Sequence, residues 1–303
     1  MGFVFYNGRY IPEERIEKSK AGDMVLRRLR SFLDKNEPGL VRFLYRLWDD
    51  QEKALTYKEI REAILIGAVS EQVLKDWIQD YSRFATEHML PAWQKAIAAA
   101  AAERAAKHPE WFFDPMADGV ISWVKDHSAR FVTNVTDTQI DGLRALVLRA
   151  TGIDYMTADE LSRYIRPMVG LTKPQAMANM NFYEKLIANG TSPKKAREQA
   201  LKYAGKQHRY RAYNIARTEL AEAYNMGAYE ATKQAQAAGY MGRSVAIWST
   251  ADDERQCPYC KALEGKTVDL DKGFDLPKGR MFPPAHPGCR CGYLIEEISP
   301  PEK

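Results

Sequence analysis

All four cysteines of this 303-residue chain fall in two short motifs, Cys257-Pro-Tyr-Cys260 and His286-Pro-Gly-Cys289-Arg-Cys291. Thiolates and imidazoles are the ligands of tetrahedral structural zinc sites, and these motifs offer five donors for four positions. Cys257, Cys260 and Cys289 are the expected core of the shell. Cys291 is expected to complete it, because thiolate outcompetes imidazole at a soft site. His286 is the alternative fourth ligand, or a partner that hydrogen-bonds a ligand sulfur. Five candidates leave no open position for a substrate, so the expected zinc is structural.

Three rival readings use the same residues. Cys-Pro-Tyr-Cys is also a redox dithiol, whose attacking thiolate sits at a helix N-terminus. The Gly- and Pro-rich stretch after Cys260 leaves no room for the βαβ architecture that such a dithiol needs. Structural disulfides would fit an oxidising compartment, but the first residues lack the basic start and apolar core of a secretion signal. Free buried thiols are the third reading. A small C-terminal unit with little apolar sequence favours a metal over all three, since units of this size need a staple.

The elements that must position these ligands are mainly helical. With 45% hydrophobic residues the chain is globular, and its longest apolar runs, near Ala63–Val69 and Ala96–Ala102, are too short to cross a bilayer. Three regions are expected: an N-terminal arm with helices and a partner-docking role (1–110), a helical middle (111–240), and a β-rich zinc unit (241–303). The arm reads as extended to about Pro38. Helical periodicity then runs over 40–68, and Ser70 caps a helix with Val73, Trp77, Tyr81 and Phe84 on one face. Thr136/Gln139, Thr157/Glu160 and Thr172/Gln175 fit the pattern in which hydroxyl and longer side chain cap a helix start. Ser192-Pro193 opens another helix, and a long one is expected from about Lys206 to Gly239. Ser244–Thr250, Lys266–Val268 and Gly292–Glu296 read as strands around the cysteines.

The net charge of +4 is unevenly spread. Between Arg163 and Arg217 twelve Lys or Arg residues face only Glu184 and Glu198. Lys194, Lys195, Arg197, Lys202, Lys206, Arg209 and Arg211 are the candidate phosphate-binding residues of this segment; a solvated face or an acidic partner would use them equally well. No Ser-His-Asp order, phosphate-cradling glycine loop or paired-acid signature stands out, so no catalysis and no small-molecule substrate are expected.

Arg217-Thr-Glu219, Trp248-Ser-Thr250, Asp252-Asp253-Glu-Arg255-Gln-Cys257-Pro-Tyr-Cys260, Leu263-Glu-Gly265 and Pro283-Pro-Ala-His286-Pro-Gly-Cys289-Arg-Cys291 follow one another in an order that resembles the phage Mu F-like head morphogenesis family. The resemblance extends over roughly residues 132–297. It implies a minor capsid protein of a tailed phage or prophage, inside the head near the portal, supporting head assembly and DNA packaging or delivery. The implied partners are the portal protein, the major capsid or scaffolding protein, and phage DNA. A zinc-containing DNA-binding packaging factor is the alternative, and a C-x-x-C thiol oxidoreductase a more distant one. Arg217, Glu219 and Asp253 are expected to act structurally, with the arginine pinning its helix to the cysteine knuckle.

Overall fold

Capping chemistry sets several helix starts of this chain. The computed structural model describes residues 3–6, 9–12, 20–106, 108–152, 156–251 and 256–300. A short antiparallel hairpin, β1 (Phe3–Tyr6) and β2 (Arg9–Pro12), precedes the helices. Helix α1 (Lys20–Ala54) then occupies much of what reads in sequence as an extended arm. Leu26, Leu29 and Leu33 recur at helical spacing there and are all buried, which explains the difference. The segment 40–68 is not one helix: Thr56 starts α2 (Tyr57–Ile66), with its backbone N–H donating to Glu59 Oε2 at 2.8 Å. Ser70 caps α3 (Glu71–Phe84) by accepting from the Val73 N–H at 3.3 Å. One π-helical turn links α3 to α4 (Leu90–Ala105).

Helix α5 (Asp118–Ala150) runs unbroken through Thr136 and Gln139, so the cap expected there does not form. No Gly or Pro occurs between Val120 and Thr136, and Gln139 is spent in a buried network instead. Tyr81 donates to Gln139 Oε1, Gln139 Nε2 donates to Gln51 Oε1 at 2.9 Å, and Trp48 Nε1 donates to Tyr81 at 2.8 Å. The other two expected caps do form. Thr157 and Glu160 exchange hydrogen bonds at the start of α6 (Ala158–Ile165), and the Thr172 N–H donates to Gln175 Oε1 at the start of α7 (Lys173–Ala188). Helix α8 (Pro193–Ala237) is continuous where a new start near Lys206 was expected. A lone Gly205 among strong helix formers costs about 1 kcal/mol and does not break it.

The chain then turns to β3 (Ser244–Ser249), the short α9 (Pro258–Lys261), β4 (Thr267–Asp269) and β5 (Gly292–Glu297). These strands form an antiparallel sheet in the order β4-β3-β5, with Ala246 opposite Val268 and Ile295. The fold is therefore mainly α with a small C-terminal α+β part, as its sequence implies. Among the described residues no helix is long and apolar enough to cross a membrane.

Two compact units result. One gathers Met1–Lys35, Ala96–Pro115 and Arg217–Lys303; the other gathers Asn36–Lys95 and Met116–Ala216. The expected breaks near 110 and 240 coincide with connections after α4 and α8, but the units are not the sequential blocks 1–110, 111–240 and 241–303. Packing of small residues is the reason in the first unit. Ala96, Ala100 and Ala101 of α4 and Ala223, Ala231 and Ala235 of α8 are all buried. A Cβ added at Gly227 would lie 2.5 Å from the Ile97 carbonyl oxygen and 2.6 Å from its Cα. The alanine tract thus serves as a low-profile packing face. Gly227→Ala would gain about 1 kcal/mol from helix propensity alone. Against the Ile97 backbone it is expected instead to lose a net 1–3 kcal/mol, roughly the usual cost of overpacking, read as a lower midpoint in thermal unfolding.

The second unit is a helical core built from Ile60, Ile64, Trp77, Leu143, Leu146, Tyr164, Ile165, Met180 and Tyr183, closed by Ala196, Ala200 and Ala204 of α8. At its centre Gly170 takes φ +91°, and its α-carbon faces Trp48 so closely that a Cβ would come within 2.6 Å of the ring.

Candidate metal centre

The C-terminal sheet cannot by itself bury much: β4 has three residues and β3 and β5 six each. Its core is completed by Trp248, Phe274, Phe282 and Tyr293 and by the cysteines Cys260, Cys289 and Cys291, which are 1–3% exposed. Cys257 is half-buried at the edge of this cluster. The two motifs, far apart in sequence, meet here.

Local chemistry shapes each half. Cys257 stands at the N-cap of α9, with Pro258 in the first turn, where a missing N–H does no harm. Its sulfur accepts the Cys260 N–H at 3.3 Å. Gly265 donates its N–H to the Trp248 carbonyl at 3.0 Å, which ties the turn after α9 to β3. The second motif turns at Gly288 (φ +71°), and the Cys289 N–H donates to the His286 carbonyl at 3.1 Å.

His286 Nε2 lies 3.2 Å from both Cys257 Sγ and Cys260 Sγ, and Cys260 Sγ lies 3.7 Å from Cys289 Sγ. All four cysteines are thiols, and 3.7 Å is far beyond the roughly 2.05 Å of a disulfide. Two overlapping groups, Cys257/Cys260/His286 and Cys260/Cys289/Cys291, could each hold a metal ion, and Cys260 belongs to both. For a tetrahedral zinc with Zn–S near 2.3 Å the S–S edge is about 3.8 Å and the S–N edge about 3.5 Å. The Cys260–Cys289 separation matches the first, and the two imidazole contacts come within a few tenths of an ångström of the second. His286 Nδ1 lies 3.0 Å from the Pro287 carbonyl oxygen, which sets the tautomer with Nε2 facing the sulfurs.

Electrostatics point the same way. Desolvation opposes ionisation of Cys257, yet the Cys260 amide and His286 hold its thiol below the ordinary range. Hydrogen bonds from the Cys260 and Cys291 thiols, helped by the Cys291 and Ala285 amides, hold Cys289 low as well. Cys260 is pushed up by its contacts with Cys289 and Cys291 and by burial. Burial lowers His286, but the Pro287 carbonyl and the Cys289 and Cys257 sulfurs outweigh it and raise the imidazole. Cys257 and Cys289 are thus the two thiols held toward the anionic form, the form in which sulfur ligates a metal.

Residues of α8 beside the Arg217/Glu219 pair support the cysteine loop. Arg217 is buried and Glu219 half-exposed on α8, but residues two apart on a helix point in different directions. Thr218, between them, accepts the Gly288 N–H at 3.0 Å through its hydroxyl. One turn on, Glu222 pairs with Arg280 at 2.8 Å, and Asn225 Nδ2 donates to the Pro283 carbonyl at 2.8 Å while its own carbonyl accepts from Tyr293. Thr218, Glu222 and Asn225 fall at i, i+4 and i+7, a polar stripe on an alanine-rich helix that marks the face turned to the cysteine loop. Asp253, with its neighbours Asp252, Glu254 and Arg255, lies outside the described residues. Thr218→Val is expected to cost about 1 kcal/mol through the orphaned Gly288 amide, measurable as faster amide exchange at 286–291.

Of the candidate phosphate-binding residues, Lys194, Lys195, Lys202, Lys206 and Arg209 are exposed on α8, and Arg197 is half-buried in the field of Glu160. Arg211 is a correction. It is 5% exposed and donates to the Gly170 carbonyl, to the Val135 carbonyl at 3.3 Å and to Thr138 Oγ1 at 2.9 Å, so it serves the core and not a surface.

Residues 180–294 match the family model described as Phage Mu protein F like protein. The match runs from within α7 to β5 and contains every candidate metal ligand; it starts later than the 132 that the sequence resemblance suggested. No curated protein and no solved structure matches the chain.

Proposed function

Since the chain is Phage Mu F-like over residues 180–294, we propose that it is a minor head morphogenesis protein of a tailed phage or prophage. It is carried inside the virion head near the portal, where it supports head assembly and DNA packaging or delivery. Its contacts are with the portal protein and with the major capsid or scaffolding protein, and it catalyses no reaction. The observation that carries this reading is the family match, and the largely buried cysteine cluster within the matched segment supports a structural part.

That cluster holds one zinc ion through Cys257, Cys260, His286 and Cys289. Zinc suits a donor set of three thiolates and one imidazole, and no position is left for a substrate. Cys291 stays beside the shell, packed against Trp248 in the core. Ligation staples the turn before α9 to the loop before β5, and Thr218 and Asn225 fasten that loop to α8.

Mass spectrometry of particles purified from a host carrying the encoding phage, with and without a disrupted gene, tests the assignment. The expected result is the chain at low copy number in wild-type particles and a fall in infectious or DNA-filled heads on disruption. Particles that lack the chain and an unchanged titre on disruption would refute the role.

A further inference from the structure

The second compact unit carries the N-terminal half of α8, and the two faces of this segment differ completely. Ala196, Ala200, Ala204, Gln207 and Arg211 form the inward face, all 9% exposed or less. On the outward side Lys195, Lys202, Lys206, Arg209 and Tyr213 recur at steps of three to seven residues along one stripe, with Tyr210 beside it. Lys194 flanks its start, and Glu198 is the one acid between residues 191 and 213. Tyr210 is 66% exposed and Tyr213 40%.

We propose that this face of α8 binds the sugar–phosphate backbone of nucleic acid, with Lys195, Lys202, Lys206 and Arg209 on phosphates and the two tyrosines against sugars or unpaired bases. From Lys195 to Arg209 the helix rises about 21 Å, the axial length of roughly six phosphates on one strand. Exposed aromatic rings interleaved with cations are the means by which proteins hold single strands without reading sequence. An acidic protein is the poorer match, because protein interfaces are depleted in lysine and centre on buried apolar anchors. An anionic membrane surface would need an apolar helix face turned outward, and here the opposite face is already packed. The proposal uses neither the metal nor the family assignment and stands or falls apart from both.

Fluorescence anisotropy of the full metal-bound chain tests it, with a labelled mixed-sequence 30-mer as single strand and as duplex across about 50–300 mM salt. Four phosphate contacts predict a log–log salt slope of about −3.6 for duplex and about −2.8 for single strand. Replacing Lys195, Lys202, Lys206 and Arg209 together by Gln, which keeps helix propensity, is expected to flatten the slope and weaken binding about 30-fold or more at 100 mM salt. The matched control Lys58→Gln/Lys75→Gln/Lys95→Gln/Lys125→Gln, which removes four exposed charges from α2, α3, α4 and α5, is expected to stay within about threefold. If circular dichroism shows that the quadruple variant loses helix, Lys202→Gln and Arg209→Gln singly should each reduce the slope by about 1. The proposal is overturned by wild-type protein that shows no salt-dependent binding at 50 mM. Equal weakening in the control set overturns it too, as does displacement of the oligonucleotide by poly-glutamate or by anionic vesicles at equal charge.

Discussion

Cys260→Ser is expected to remove stoichiometric zinc and to unfold the sheet β3–β5 together with the loop before β5. Cys260 belongs to both groups of potential ligands, is 1% exposed, and lies within 3.7 Å of Cys289 and 3.2 Å of His286. Among the described residues, Cys260 is the one shared by both groups. Structural zinc contributes roughly 10–16 kcal/mol in isolated zinc-finger peptides at neutral pH, far more than three strands of six, three and six residues can supply. Losing the ion also leaves half-buried Cys257 and buried Cys289, whose sulfurs are both held toward the anionic state, without the cation that would offset them. Elemental analysis should fall from about one zinc per chain to a small fraction, and amide exchange should accelerate across residues 244–297. Helices α2, α3, α5, α6 and α7 belong to the other compact unit and should keep their protection.

Two companion variants separate the ligand sets. His286→Ala should behave like Cys260→Ser, whereas Cys291→Ser should retain the metal. The opposite pattern would replace His286 by Cys291 in the shell. Acid should release the ion in every form that binds it. A thiol whose folded pKa is lowered stabilises the fold above its unfolded value and loses that contribution as pH falls through the folded value, and protons compete with the metal for the same sulfurs.

The candidate metal centre was legible because its signal is chemical and local. Four cysteines and a histidine at ligand spacing admit few uses, and the structure places them in two overlapping groups, sharing Cys260, that could each hold a metal ion. Its supports were harder to see. Thr218, Glu222 and Asn225 are ordinary helix-surface residues until the cysteine loop is known to lie over them, and the eye goes first to the charged residues flanking Thr218. The same asymmetry holds for the helices. Thr157/Glu160 and Thr172/Gln175 are caps because a turn precedes each, whereas Thr136 and Gln139 satisfy the same pattern inside a continuous helix, where Gln139 has better partners in Tyr81 and Gln51. The composition of the compact units was out of reach of local patterns, since it depends on which distant alanine and glycine faces allow backbones to approach. A count of positive residues likewise cannot tell Lys202 from Arg211, because charge is visible in the sequence and direction on the helix is not until its buried face is known.

Arg211→Ala is expected to cost about 3–5 kcal/mol, as much as truncating a buried aromatic of the second unit. The guanidinium is almost wholly buried, and desolvation lowers its pKa, opposed by the nearby Tyr81. Its donors are met by neutral oxygens: the carbonyls of Gly170 and Val135 and the hydroxyl of Thr138. The cation also lies 5.3 Å from the centre of the Trp48 ring, whose negative face offsets part of the burial cost. Truncation to Ala therefore does two kinds of harm, emptying a space the size of a long side chain and orphaning two backbone carbonyls in a dry core. Arg211→Met refills the space and removes the buried charge, so its loss is expected to be smaller, about 1–3 kcal/mol, and to come from the unpaired carbonyls alone. Arg211→Lys keeps the charge but replaces a planar fork by a single ammonium that cannot reach three oxygens on two sides, and it should fall nearer to Ala than to Met. Urea unfolding followed at tryptophan, with Trp48 as the local reporter, reads the order Ala, Lys, Met. Since arginine stays protonated throughout, the deficit should be the same at pH 6 and pH 9, roughly the span over which histidines and thiols titrate. A deficit that grew or vanished across that interval would mean that the loss came from a titrating neighbour such as His208, whose ring nitrogen contacts the Val169 carbonyl one residue before Gly170. An Arg211→Met variant as unstable as Arg211→Ala would mean that the orphaned carbonyls, and not the emptied volume, account for the whole cost.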